Sequence, residues 1–170
     1  MKQSLSAALV LAAAIGGAAP ALAQLRGAEP TRTYGAPTAP IAAAVSVPAG
    51  YETIYMSGAL PDPLTPPVAG APPVLGTTEQ QAESVLTKLA AGLKAQGLTE
   101  ADVVKMTVFM AGDPTKGGKM DFPGMMNAYK RHYGTPAQPN RPARSTVQVA
   151  ALVAPGAMVE IEAVAVRRPR

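Results

Sequence analysis

The chain has 170 residues, 15 Lys+Arg against 11 Asp+Glu for a formal net charge of +4, no Cys, no Trp and a single His. That length suits one domain; without Cys there is no disulfide, thiol nucleophile, iron–sulfur cluster or cysteine zinc site, and one His excludes a two-His metal site within the chain. Hydrophobic residues make up 48%, as in a globular protein, yet eleven of the 18 Pro fall between Pro20 and Pro73, so the first third differs in kind from the rest.

Residues 1–23 read as a secretory signal. Lys2 gives a positive start, residues 5–15 are apolar apart from Ser6, and Pro20 precedes the small-x-small site Ala21-Leu22-Ala23. The stretch is short and rich in Ala and Gly, whereas a membrane span needs about 20 strongly apolar residues. The expected product is a secreted or periplasmic protein beginning at Gln24, with no stable membrane association after cleavage. Residues 24–42, rich in Pro, Ala, Thr and Gly, read as a flexible arm ahead of a domain at 43–168.

Two short strands are expected at 43–47 and 53–57, followed by a surface loop at 61–76 that carries six Pro. Residues 77–96 are the clearest helix. Ala82, Val85, Leu86, Leu89, Ala90 and Leu93 recur on one face, Gly97 is the expected stop, and both Thr77/Gln80 and Thr78/Gln81 fit a capping box. The β-branched run at 103–110 predicts a strand. Asp121 caps a second helix reaching about Tyr133, with Phe122, Met125, Met126 and Tyr129 facing inward. Residues 144–152 and 158–166 read as two strands whose Ala154-Pro155-Gly156 turn suggests an antiparallel hairpin. Sheet and helices in this order indicate an α+β fold with both helices on one face of the sheet.

Few residues can do chemistry. Arg144 opens a strand on one face with Thr146 and Gln148, and a guanidinium there can hold a carboxylate through two parallel hydrogen bonds; by pattern alone an exposed strand-end arginine is the simpler reading. Glu160 and Glu162 share a face of the last strand, as a general base with its neighbour or as a solvated pair. His132, beside Lys130 and Arg131, reads as part of an exposed polar face at a helix C-terminus, and Met120, Met125 and Met126 read as core. The tail Arg167-Arg168-Pro169-Arg170 lacks the aromatic platform and basic stripe of a nucleic-acid site, so no nucleic-acid partner is expected.

As a set these residues resemble the RidA (YjgF/YER057c/UK114) family. The matching runs are Tyr55-Met56-Ser57-Gly58, Gly97-Leu98, Asp102-Val103-Val104-Lys105, Thr107-Val108-Phe109, Asp121-Phe122, Arg141-Pro142-Ala143-Arg144-Ser145 and Val159-Glu160-Ile161-Glu162-Ala163-Val164-Ala165-Val166. The resemblance implies a chorismate-mutase-like α+β subunit, a homotrimer with clefts between neighbouring copies, and hydrolysis of reactive 2-imino acids to 2-oxo acids and ammonia without a metal or organic cofactor. It further implies that Arg144 clamps the carboxylate of a small ligand, that Glu160 positions the attacking water, and that Ser57, Gly58, Thr146 and Asn127 complete the ligand site. Active members carry a Tyr near the N-terminal strand, where this chain has Ala42-Ala43-Ala44, and an Asn where it has Met126, with Asn127 one step along. A non-catalytic carboxylate-binding or protein-interaction (holdase-like) role is the alternative.

Overall fold

A computed structural model describes residues 28–66 and 68–168; the expected signal segment and its cleavage site lie outside them. The apolar alternation at the centre of the chain becomes the central strand. Met106, Val108 and Met110 of β4 (Val103–Met110) are fully buried, while Lys105, Thr107 and Phe109 between them are only half-buried. Its neighbours are β6 (Val159–Arg167), which is antiparallel, and β5 (Ala143–Gln148), which is parallel; β3 (Glu52–Ala59) pairs antiparallel with β6 on the far side. The sheet order is β3-β6-β4-β5.

This order corrects the expected hairpin. The strands on either side of Ala154-Pro155-Gly156 do not pair: β6 lies between β3 and β4, and β5 takes the outer edge beside β4. Strand β5 stops at Gln148, and Val149 donates to the Met110 carbonyl as the chain leaves the sheet. A Pro-Gly turn reverses the chain locally, but which strands then pair is set by the helical crossover from β4 to β5, and parallel neighbours require such a crossover.

Both helices cover one face of the sheet. Helix α1 (Thr78–Ala95) starts from the Thr77/Gln80 capping box, and Ala82, Val85, Leu86, Leu89 and Leu93 form its buried stripe. Gln81, the other capping candidate, is buried and bonds the Gly76 and Gly156 carbonyls and the Met158 amide. Helix α2 (Phe122–His132) is capped by Asp121 and buries Met125, Met126, Ala128 and Tyr129. Phe122, expected inside, stays 38% exposed at the rim. With Val159, Ile161, Ala163 and Ala165 of β6, these residues form one core.

The arm is not free along its described length. Thr31–Thr33 forms β1, which pairs antiparallel with β2 (Ala44–Ser46). Arg32 donates to the Ala101 and Val103 carbonyls, and the Arg141 guanidinium lies 4.0 Å above the Tyr34 ring while donating to the Pro37 and Ala39 carbonyls. The Ala42 amide donates to the Pro142 carbonyl. Composition marked this segment as irregular because its partners lie about 70 to 100 residues away.

Candidate active site

Strand register decides which side chains can meet. Arg144 pairs with Met106 and Thr146 with Val108, so both project onto the helix side of the sheet. Glu160 pairs with Phe109 and Glu162 with Thr107, so both project onto the opposite, open side. The two principal residues of the expected site therefore leave opposite faces of one sheet, with β4 between their strands. Within one copy they do not converge.

On the helix side Arg144 is half-buried, not an exposed strand end. Its guanidinium lies 4.2 Å from the centroid of the Tyr129 ring and 5.9 Å from that of Phe122. Nη2 contacts the Met126 sulfur at 3.0 Å, while Nη1 is buried without a hydrogen-bond partner among the described residues. Thr146, two residues along the same face, also has a buried hydroxyl with no partner, as does Tyr129. Burial pulls the Arg144 pKa below the ordinary arginine value and pushes the Tyr129 hydroxyl up to about 12, so the phenol stays neutral. Among the described residues no carboxylate pairs with Arg144. The site thus holds a positive charge and two unpartnered hydroxyls, and the one contact Arg144 Nη2 makes there is with a thioether, a weak acceptor.

The open side is built around a bulge. From Met56 to Ala59, β3 advances three residues while β6 advances two, and Ser57-Gly58 lies in that irregularity. The Glu160 side chain occupies the space Gly58 leaves: a Cβ at position 58 would sit 2.1 Å from its Oε1. A cavity of about 450 Å³ extends beside it over Tyr55, Ser57, Lys105, Thr107 and Glu162. Tyr55 there is 80% exposed, a large aromatic left on an open sheet. Among the described residues, neither Glu160 nor Glu162 forms an ion pair with Lys or Arg.

Asn127 does not enter the Arg144 pocket. One helical step turns a side chain by ~100°, and the Asn127 amide instead donates to Glu79 at 3.0 Å, on the α1 side, while Met126 takes the place next to Arg144. His132 is also not exposed: Nδ1 lies 2.7 Å from Glu100 and Nε2 3.1 Å from Glu83, with 13% of its side chain accessible. Sequence reasoning missed Tyr129 as the surface on which Arg144 lies. The signal was present, since Tyr129 follows Met126 by three residues on the inward face of the helix, but its meeting with Arg144 is a contact between distant elements.

Residues 35–167 match the family model described as "Endoribonuclease L-PSP". The protein DfrA of Myxococcus xanthus is 42% identical over 129 residues, covering 75% of this chain and 85% of that protein. A goat (Capra hircus) protein named 2-iminobutanoate/2-iminopropanoate deaminase is 39% identical over 118 residues, 69% of this chain and 74% of its own length. Among solved structures, Escherichia coli TdcF with bound serine is 32% identical at a TM-score of 0.51, covering 78% of this chain and 95% of that one. A Thermotoga maritima protein described as a putative endoribonuclease is 37% identical at a TM-score of 0.52, over 76% of this chain and 88% of that one. The fold, the Arg144 and Glu160 strands and these likenesses agree: the chain belongs to the endoribonuclease L-PSP family, the RidA (YjgF) family.

Proposed function

We propose that the protein hydrolyses reactive 2-imino acids to 2-oxo acids and ammonia in a cleft between two copies of the chain, one supplying Arg144 and Thr146 and the next supplying Glu160, Ser57 and Gly58. The observation that carries this reading is the pair of buried donors without partners, Arg144 Nη1 and Thr146 Oγ1, on one face of β5. A carboxylate brings two oxygens to such a pair and can engage the guanidinium bidentately. A 2-iminium beside that carboxylate is already electrophilic, so the site needs mainly orientation and a placed water. Glu160 takes a proton from the water as its oxygen bonds to C2 and the C=N π electrons pass to nitrogen. Glu160 then returns that proton to the amine, the C–N bond breaks as the new hydroxyl gives up its proton to the departing ammonia, and the 2-oxo acid and ammonium remain. The deaminase name of the goat relative and the serine bound by TdcF support a carboxylate-bearing, amino-acid-derived ligand.

Opposite-facing half-sites and an open face bearing Tyr55 support a closed homotrimer, in which each cleft takes one half from each neighbour. Removal of residues 1–23 on export leaves this domain whole. The deciding measurement is ammonia release from 2-iminopropanoate generated in situ. Arg144→Ala and Glu160→Ala each lower the rate by about 10²-fold or more, and a refolded equal mixture of the two recovers about a quarter of the wild-type rate, because random assembly joins intact halves at about one cleft in four. No acceleration by the wild type rejects catalysis. No recovery in the mixture rejects the shared cleft, as does a monomer by light scattering. N-terminal sequencing of the exported protein is expected to begin at Gln24.

A second reading has its own support. With Met126 beside Arg144 and Asn127 held by Glu79, α2 brings no amide to the Arg144 site, which favours a carboxylate-binding protein without turnover. It is the outcome if 2-oxobutanoate binds, binding is lost in Arg144→Ala, and no imine is hydrolysed.

A further inference from the structure

Arg144 is the second residue of an edge strand, and the chain reaches it from residues 133–142, which form neither helix nor strand. On the inner side Ala143 and Arg144 pair with Lys105 and Met106 of β4. No strand lies on the outer side. There the arm stands in for one: Ala42 bridges Ala143 in parallel, and its amide donates to the Pro142 carbonyl. The end of an edge strand opens readily unless something ties it down.

Arg141 is the tie. Its guanidinium lies on the Tyr34 ring, 4.0 Å from the centroid, and Nη1 donates to the Pro37 and Ala39 carbonyls. Its backbone amide donates to the Tyr34 hydroxyl at 3.4 Å. Cδ packs against Gly134, just past α2, where a Cβ would sit 3.1 Å away. One side chain joins the arm, the end of the helix that bears Met126 and Tyr129, and the entry to β5. Arg144, Arg141 and Tyr34 all lie near enough to the buried Tyr129 hydroxyl to influence its ionisation. A working constellation tolerates displacements of only about 0.5 Å, so the entry to β5 must be fixed before Arg144 can grip a ligand.

We propose that Tyr34 is a positioning residue for the carboxylate clamp: by stacking on Arg141 it fixes the start of β5 and with it the Arg144 guanidinium. This inference rests on Arg144 holding the carboxylate. It gives the arm a part in ligand binding as well as in stability.

Calorimetry with 2-oxobutanoate on the mature protein tests it, at a temperature where every variant is folded. Tyr34→Leu keeps apolar bulk but removes the aromatic face, and is expected to weaken binding about fivefold or more. Tyr34→Phe keeps that face and is expected to bind within about twofold of the wild type. Arg141→Lys keeps the charge but not the planar fork, so it should weaken binding as Tyr34→Leu does, and the double variant should be no weaker than either alone. Arg32→Ala separates positioning from stability. It frees the other end of the arm from the Ala101 and Val103 carbonyls, and should lower Tm with affinity retained. Unchanged affinity in Tyr34→Leu overturns the proposal, as does equal weakening by Tyr34→Leu and either Tyr34→Phe or Arg32→Ala. If Tyr34→Leu does not fold, Arg141→Lys makes the same comparison with Arg32→Ala. Undiminished binding in Arg144→Ala, or none in the wild type, overturns clamp and positioning together. Loss in Arg144→Ala with no effect of Tyr34→Leu removes positioning alone.

Discussion

Helix α2 presents two faces with opposite polar character. On one, Arg131 donates from Nε to Glu83 and from Nη1 to Glu79, and Nη2 contacts Glu83, all within 2.9 Å; Asn127 adds a bond to Glu79, and His132 joins Glu83 to Glu100. On the other, Met126 and Tyr129 receive Arg144, whose Nη1 has no hydrogen-bond partner and whose charge has no carboxylate among the described residues. The saturated arginine is exposed and the unsaturated one is half-buried. Burying a charge without a partner costs free energy, and a fold optimised for stability alone removes it. The contrast therefore separates a latch between helices from a half-buried charge left unanswered, which is what the proposed carboxylate clamp needs.

The comparison breaks most visibly at the two arginines. Arg144→Ala is expected to lower kcat/KM for 2-iminopropanoate by about 10²–10³-fold, the usual effect of truncating one partner of a buried charged contact. Arg131→Ala should leave kcat/KM within about twofold and lower Tm by about 2 °C or less, as for an exposed ion pair. Equal effects of the two variants would erase the distinction.

Gly58→Ala comes next. With its Cβ 2.1 Å from Glu160 Oε1, the carboxylate must move. A kcat loss of about tenfold or more with 2-oxobutanoate affinity retained is expected, because a displaced base affects the chemical step before binding. Unchanged kcat would mean that Glu160 does not act from this position.

The latch face should respond to pH. Hydrogen bonding to Glu100 in first place, then to Glu83, raises the His132 pKa in the folded protein despite its partial burial. A raised folded value means that the stabilisation is complete below about pH 6.5, the unfolded value, and is lost as pH rises through the folded value. Thermal melts should show a Tm loss of about 2–4 °C across that window, absent in His132→Asn. The smallest effect is expected at Tyr129→Phe. Removing a buried hydroxyl that has no partner leaves the free protein as stable as before or slightly more so, by about 1 °C or less on melting. A clear loss of Tm would show that the hydroxyl is paired after all.

Much of the fold was legible in the residues. The strand at 103–110 matches its predicted bounds, both helices lie within about a residue of theirs, and the stripe from Ala82 to Leu93 faces the core as its spacing implied. Alternation correctly placed Arg144 with Thr146 and Glu160 with Glu162. It could not place the two pairs relative to each other, because alternation fixes a side chain's face only within its own strand. The false hairpin has the same origin: the Ala154-Pro155-Gly156 turn is a local signal, and pairing between β4 and β5 is not. Likewise Arg32 and Arg141 bind carbonyls far along the chain, so composition alone made an anchored segment look loose.

Residue types and their spacing set the chemistry within reach: no thiol, one imidazole, and an arginine and a glutamate on strands that match a family pattern. Tertiary structure alone decided that this arginine and glutamate face apart, that Met126 rather than Asn127 stands beside the guanidinium, and that Gly58 makes room for Glu160. The physical reason is that composition and periodicity are local properties of the chain, whereas convergence, burial and unanswered hydrogen bonds exist only between segments that folding brings together.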